Sequence, residues 1–208
     1  MPISFIPNKT VEVPEIKFKQ NIELNAAETA LIIVDMQNDF VKENGNLFVP
    51  MAPATVNNIK SLQDKARKAG VKIVFTQDTQ IEKDKEFEIW PAHCIENTWG
   101  WHIIDELKPY SDELVFKKNR YDGFYGTLLE HYLSRVWSIK NVVIVGTVSN
   151  ICVAHTAASA GLRWYYIVVP ADGISSLTEF DQALTLRQVS TLYSGSVVKS
   201  TNDIIFVK

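Results

Sequence analysis

The sequence predicts an α/β protein: a three-layer α-β-α sandwich around a mainly parallel central sheet. Short, largely apolar, β-branched runs recur at 30–34 (ALIIV), 71–76 (VKIVFT) and 142–146 (VVIVG). Such runs are the pattern of strands buried on both faces. Stretches of helical periodicity separate them, and regular alternation of this kind builds parallel sheets with helices on both sides. With 208 residues, 46% of them hydrophobic, the chain suits one compact domain with a substantial core.

Residues 1–28 carry three prolines and little periodicity, and they read as an arm on the domain surface or on a neighbouring subunit. The domain proper is expected over 29–208. Its first strand is 30–34. Residues 54–69 read as a helix, with Gly70 in the position that commonly closes one. A strand at 71–76 leads into a long loop from 77 to about 101. A strand at 114–116, a helix at 127–138 and a strand at 141–146 come next. Helix 152–162, strand 164–169 and helix 178–194 follow, and VVKSTNDIIF near the end supplies a final short strand. No internal repeat, low-complexity tract or linker interrupts the series.

Three strand ends carry residues with chemistry. Asp35 follows the first strand, and ligand sites in open α/β sheets gather at the carboxyl ends of strands; an Asp there also serves as a turn or cap residue. Lys117 and Lys118 follow the strand at 114–116, although most lysines are solvated surface charge. In VVIVGTVSNICVAHTAASA (142–160), Cys152 falls where a helix begins. A helix start favours negative charge and is expected to lower a thiol's pKa, making Cys152 a candidate nucleophile as well as a candidate packing residue. A carboxylate, an ammonium and a thiol on neighbouring strand ends form a set suited to acyl transfer. The ammonium favours a thiolate, and the carboxylate can take the thiol proton and return it.

The motifs VDMQNDF (34–40), K-x-R-Y-x-x-F (Lys118, Arg120, Tyr121, Phe124) and GTVSNICV (146–153) stand in one order and at suitable separations. On these, the chain resembles the isochorismatase-like cysteine hydrolases, a family that includes nicotinamidases, N-carbamoylsarcosine amidases and ureidoacrylate amidohydrolases. The resemblance runs from about Ala30 to the C-terminus. It implies a catalytic triad of Asp35, Lys118 and Cys152, and a cis peptide at Thr147–Val148. It also implies an oxyanion hole made by the N–H groups of Val148 and Cys152. The implied function is a cysteine-dependent amidohydrolase acting on a small amide or carbamoyl compound, in the style of N-carbamoylsarcosine amidase. Nicotinamidase, a vinyl ether hydrolase of the isochorismatase type and a non-catalytic scaffold are the alternatives.

The loop TQDTQIEKDKEFEIWPAHCIENTWG (76–100) resembles the nicotinamidase metal region, which begins D-x-H and ends W-P-x-H-C. Asp78, Trp90, Pro91, His93 and Cys94 match that pattern, and Glu86 stands where some nicotinamidases place a carboxylate ligand. Gln80 replaces the D-x-H histidine, and an amide oxygen is a poor partner for zinc. The resemblance therefore implies no required cofactor. Asp78, Glu86 and His93 form either a weak site for zinc or another divalent metal or a hydrogen-bonded wall. Phe40 and Trp90 adjoin matched motifs and are candidate pocket residues, with Tyr121 and Phe124 less favoured. Arg120 and Lys117 are candidate anchors for a substrate carboxylate. Cys94, His131 and His155 read as ordinary packing or surface residues.

A net charge of −3 with scattered Lys and Arg gives no footprint for nucleic acid or an anionic membrane. No apolar stretch approaches the roughly 20 residues that span a bilayer. MPISFIPNKT lacks the layout of a signal peptide, and two cysteines make no disulfide framework, so a reducing cytoplasm is expected. The partners expected are a small-molecule substrate and, by resemblance, further copies of the chain in a dimer or tetramer. The Trp99–Trp101 stretch and the N-terminal arm are the candidate contact elements.

Overall fold

A computed structural model describes residues 13–208. In chain order the elements are β1 (Ile22–Asn25), β2 (Thr29–Val34), α1 (Asn38–Val41), α2 (Ala52–Ala69), β3 (Lys72–Asp78) and β4 (Leu114–Lys118). Then follow β5 (Asn141–Thr147), α3 (Ala154–Leu162), β6 (Tyr166–Pro170), β7 (Ile174–Ser175), α4 (Glu179–Leu192), β8 (Ser196–Val198) and β9 (Ile204–Val207). Strands β4-β3-β2-β5-β6-β8 form one sheet in that order, with β7 on the far end of β5, and every pairing is parallel.

The pleat explains the three layers. Along β2, Leu31 and Ile33 join one core cluster with Ile59, Leu62 and Ala66 of α2. Ala30, Ile32 and Val34 join the other, with Val153, Ala157 and Ala160 around α3 and Leu186 and Val189 of α4. Successive side chains of a strand point to opposite faces, so an all-apolar run is what burial on both faces requires. Chain order runs outward from β2 to β3 and β4, then returns to β5 on the other side of β2. That reversal creates a crevice at the carboxyl ends of β2 and β5. Gly146 lets the two strands approach there: a Cβ on it would lie 2.0 Å from the Val34 carbonyl oxygen.

Several boundaries differ from the sequence expectation. The helix expected at 127–138 starts only at Leu129, because the Thr127 hydroxyl accepts from the Leu129 N–H as a cap does. It then widens into a π-turn over His131–Val136. The strand expected at 164–169 is 166–170, since Trp164 adopts φ +66° in the turn before it. Strand β4 runs on to Lys118, and β3 runs on to Asp78. The C-terminal segment gives two strands, β8 and β9, instead of one. Within the expected N-terminal arm, Ile22–Asn25 pairs in parallel with Ile204–Val207, and Lys19 bridges Val198. Residues 1–12 of that arm lie outside the described residues. No helix among the described residues is long and apolar enough to cross a membrane.

Candidate active site

Asp35, Lys118 and Cys152 meet at the crevice. Asp35 follows β2 with φ +51°, a conformation uncommon for a residue with a Cβ. Its Oδ1 accepts from the Thr76 hydroxyl at 2.8 Å. Its Oδ2 lies 2.7 Å from Lys118 Nζ as an ion pair and has no aligned hydrogen-bond donor, which leaves it open to a proton. Lys118 closes β4, and its Nζ also reaches Asp78 Oδ1 at 3.3 Å and Cys152 Sγ at 3.6 Å. Asp35 is fully buried and Lys118 is 1% exposed. A lone charge there would be costly, so the ammonium and the carboxylates hold one another in the charged state. Lys118 accordingly stays protonated: burial opposes its charge, but Asp35, Cys152 and Asp78 together hold its pKa well above the ordinary value.

The thiol departs from the sequence expectation. Burial foremost, then the negative charges of Asp35 and Asp78, push the Cys152 pKa well above its ordinary value, although Lys118 pulls the other way. Cys152 occupies a π-turn over Ser149–Val153 ahead of α3, and burial is the largest influence on its thiol there. One ammonium cannot sustain two carboxylates and a thiolate at once. The resting thiol is therefore protonated. Burial also raises the Asp35 pKa, against the pull of Lys118. The peptide bond between Thr147 and Val148 is cis, and among the described residues the Val148 N–H donates to no protein acceptor.

A cavity lies beside the thiol. Phe40 and Trp90 line it as expected, and so do Tyr121, Ile151, Leu47, Val49 and Leu177. Phe124 lies elsewhere, packed in the core against Tyr165. Trp90 Nε1 donates to the Tyr121 hydroxyl at 3.0 Å, tying two loops together at the cavity wall. Neither anchor expected for a carboxylate reaches the cavity. Lys117 is exposed and paired with Glu96 at 2.6 Å, and Arg120 is exposed and paired with Asp84 at 3.2 Å. Lys117 misses because it precedes Lys118 on one strand, so the pleat turns it to the opposite face.

Asp78, Glu86 and His93 gather on the wall, their ligand atoms within 4.8 Å of one another and all buried. His93 Nε2 is 3.2 Å from Asp78 Oδ2 and 3.9 Å from Glu86 Oε1, while Nδ1 meets the Pro91 carbonyl at 2.7 Å. A carbonyl partner takes a proton on Nδ1 and leaves Nε2 facing the carboxylates. Two carboxylates and an imidazole fit a divalent cation as three ligands. Gln80 does not complete the set as placed: its Nε2 donates to both Asp78 oxygens, at 3.2 and 3.3 Å, and its buried Oε1 has no partner among the described residues. Without a cation, Asp78 and Glu86 raise the His93 pKa against the effect of burial, and burial and Asp78 raise that of Glu86.

The motif residues after Asp35 hold this wall in place, which residue-level reading of the sequence missed. Gln37 accepts from the Asp78 N–H and donates to the Asp78 and Trp101 carbonyls. Asn38 donates to the Trp99 carbonyl. The Asp39 carboxylate accepts from the N–H groups of Asn46 and Cys94 at 2.9 and 2.7 Å. The signal available was their polarity in a segment flanked by apolar residues: buried side chains of this kind must find partners. Cys94 is fully buried packing, His131 and His155 are exposed, and the Trp101 indole donates to the Thr79 hydroxyl within the chain.

Residues 29–203 match the sequence profile of the isochorismatase domain. The chain belongs to that family. Ureidoacrylate amidohydrolase RutB of Agrobacterium fabrum is 30% identical over 210 residues, covering 88% of this chain and 90% of RutB. Among solved structures, N-carbamoylsarcosine amidase from Thermoplasma acidophilum superposes with a TM-score of 0.77 at 32% identity, over 85% of this chain and 98% of that one. Pyrazinamidase of Pyrococcus horikoshii in complex with zinc gives a TM-score of 0.73 at 27% identity, over 87% and 99%. The isochorismatase-like fold of these relatives is the fold of this chain.

Proposed function

We propose that this family member is a cysteine-dependent amidohydrolase that cleaves a small amide or N-carbamoyl compound through a thioester on Cys152. One observation carries the reading: a single buried ammonium, Lys118, lies 2.7 Å from Asp35 and 3.6 Å from Cys152, so base and nucleophile share one electrostatic anchor. With a primary amide in the cavity, Asp35 takes the Cys152 proton and the sulfur attacks the carbonyl carbon. The Val148 and Cys152 N–H groups receive the oxyanion, donors worth roughly 3 kcal/mol each in such sites. Asp35 then returns the proton to the nitrogen, the C–N bond breaks and ammonia leaves. Water activated by Asp35 hydrolyses the thioester, releasing the acid and restoring the thiol. Because the resting thiol is protonated, proton transfer belongs to the attack itself and not to a standing thiolate.

Asp78, Glu86 and His93 are the residues that would hold a divalent cation; bound there, it would supply a Lewis-acid position for a substrate heteroatom. That cluster favours a second reading, hydrolysis of nicotinamide. The test is ammonia release from nicotinamide, N-carbamoylsarcosine, ureidoacrylate and simple aliphatic amides, with intact-mass detection of an acyl-enzyme. Turnover with a Cys152 adduct supports the proposal, and turnover that survives Cys152→Ala refutes it.

A further inference from the structure

The cavity carries information on substrate charge. Its apolar wall is Phe40, Leu47, Val49, Trp90, Ile151 and Leu177, and among the described residues the titratable acid and imidazole side chains lining it are Asp78, Glu86 and His93. No lysine or arginine among the described residues lines it. The one ammonium nearby, Lys118, is already shared among Asp35, Asp78 and Cys152. Arg120 is engaged by Asp84, at 3.2 Å, and by the Asn119 carbonyl, with Glu86 a further 3.9 Å contact. Leu177, on the lining, is 46% exposed and stands at the outer side of the cavity.

We propose that the substrate presents a neutral, apolar acyl group to this cavity, and that a carboxylate on that group excludes the compound. This rests on the amidohydrolase reading and narrows it. A buried carboxylate needs a cation or several donors; in this wall the His93 imidazole already faces Asp78 and Glu86 and the Trp90 indole donates to Tyr121, so neither is spare. Specificity then comes from repulsion as much as from attraction.

The test uses matched pairs differing by one carboxylate: butyramide against succinamate, and benzamide against 4-carbamoylbenzoate. Ammonia release by the wild type gives kcat/KM, and calorimetry on Cys152→Ala gives binding without turnover. Both are run after chelation and again with added zinc or manganese. The neutral member should lead by about 100-fold in both readouts under either condition. Binding of the neutral members with no turnover would sink the amidohydrolase reading while sustaining the charge selection. Equal or tighter binding of the carboxylated member, failure of both to bind, or reversal of the order by added metal would overturn it. Leu177→Arg places a cation at the mouth and should shrink the ratio by about tenfold. An unchanged ratio in a folded variant that binds benzamide would also count against it.

Discussion

The reaction centre and the acidic wall beside it are built in different ways. Lys118 closes β4, Asp35 directly follows β2, and Cys152 sits in the π-turn that joins β5 to α3, so the main chain of the sheet and its first turn sets their spacing. Of the wall residues, Asp78 closes β3, but Glu86 and His93 hang on the loop that follows, held by Gln37, Asn38 and Asp39. The centre is therefore placed by backbone, and the wall by side-chain hydrogen bonds. The proposed chemistry thus rests on the sheet and the proposed selectivity on a loop, and the Lys118–Asp78 pair joins the two.

That contrast can be broken at its strongest point first. Cys152→Ala should lower turnover by about 10⁴-fold or more with an unchanged circular dichroism spectrum; appreciable residual turnover would remove the thiol from the chemistry. Lys118→Met leaves Asp35 and Asp78 buried without their ammonium. A loss of about 3–5 kcal/mol in denaturant unfolding is expected, together with activity; a stable variant would mean the centre is not electrostatically anchored. Asp39→Ala removes the carboxylate that accepts from the Cys94 N–H on the wall loop and from the Asn46 N–H after α1. It should lower stability by about 1–3 kcal/mol and raise KM more than it lowers kcat. An equal loss in kcat with no change in KM would erase the distinction between the regions.

Titration sharpens the same comparison. The base role proposed for Asp35 needs it ionised, and burial raises its pKa, so the acid limb of kcat/KM should lie above the ordinary carboxyl value of 3.8, with rate rising as pH climbs through it. The thiol is raised as well, so alkylation of Cys152 by iodoacetamide should grow only above its ordinary value of 9.0. Half-maximal alkylation below pH 8 would show a standing thiolate and contradict the charge balance drawn here. The smallest effect belongs to the surface: Arg120→Ala, at a half-exposed ion pair, should change stability by less than about 0.5 kcal/mol. Calorimetry would show a larger loss if Arg120 braces the wall through Glu86.

The sheet was legible because its strands are buried on both faces: ALIIV and VVIVG leave little choice of period, and Asp35 and Cys152 mark where they end. Lys118 was separable from Lys117 only through the motif that follows it, although the two-residue pleat gives the same answer once the strand is known to reach 118. The thiol's ionisation was not legible. A helix start can be read from a sequence, but the burial that raises the thiol's pKa depends on the tertiary packing of the core cluster that Cys152 joins. The cavity wall was half legible for a similar reason. Phe40 and Trp90 adjoin motifs, whereas Leu47, Val49 and Leu177 arrive from segments with no local mark of function. The clamping roles of Gln37, Asn38 and Asp39 needed partners more than fifty residues away along the chain for Asn38 and for Asp39's bond to Cys94.

Strand β4 lies at the free border of the sheet, with Val115 and Lys117 facing outward and Lys118 alone fully buried. A border strand lacks a neighbour on one side and is where a sheet would be expected to unzip. Here the last residue of that strand is tethered inward by Asp35, two strands away, and by Asp78 on the adjacent one. The charges proposed to serve the sulfur's attack thus also act as a rivet at the sheet's edge. Loosening of the border and loss of the reaction centre are then one event, so slow amide exchange along β4 would report directly on the fraction of molecules competent to react.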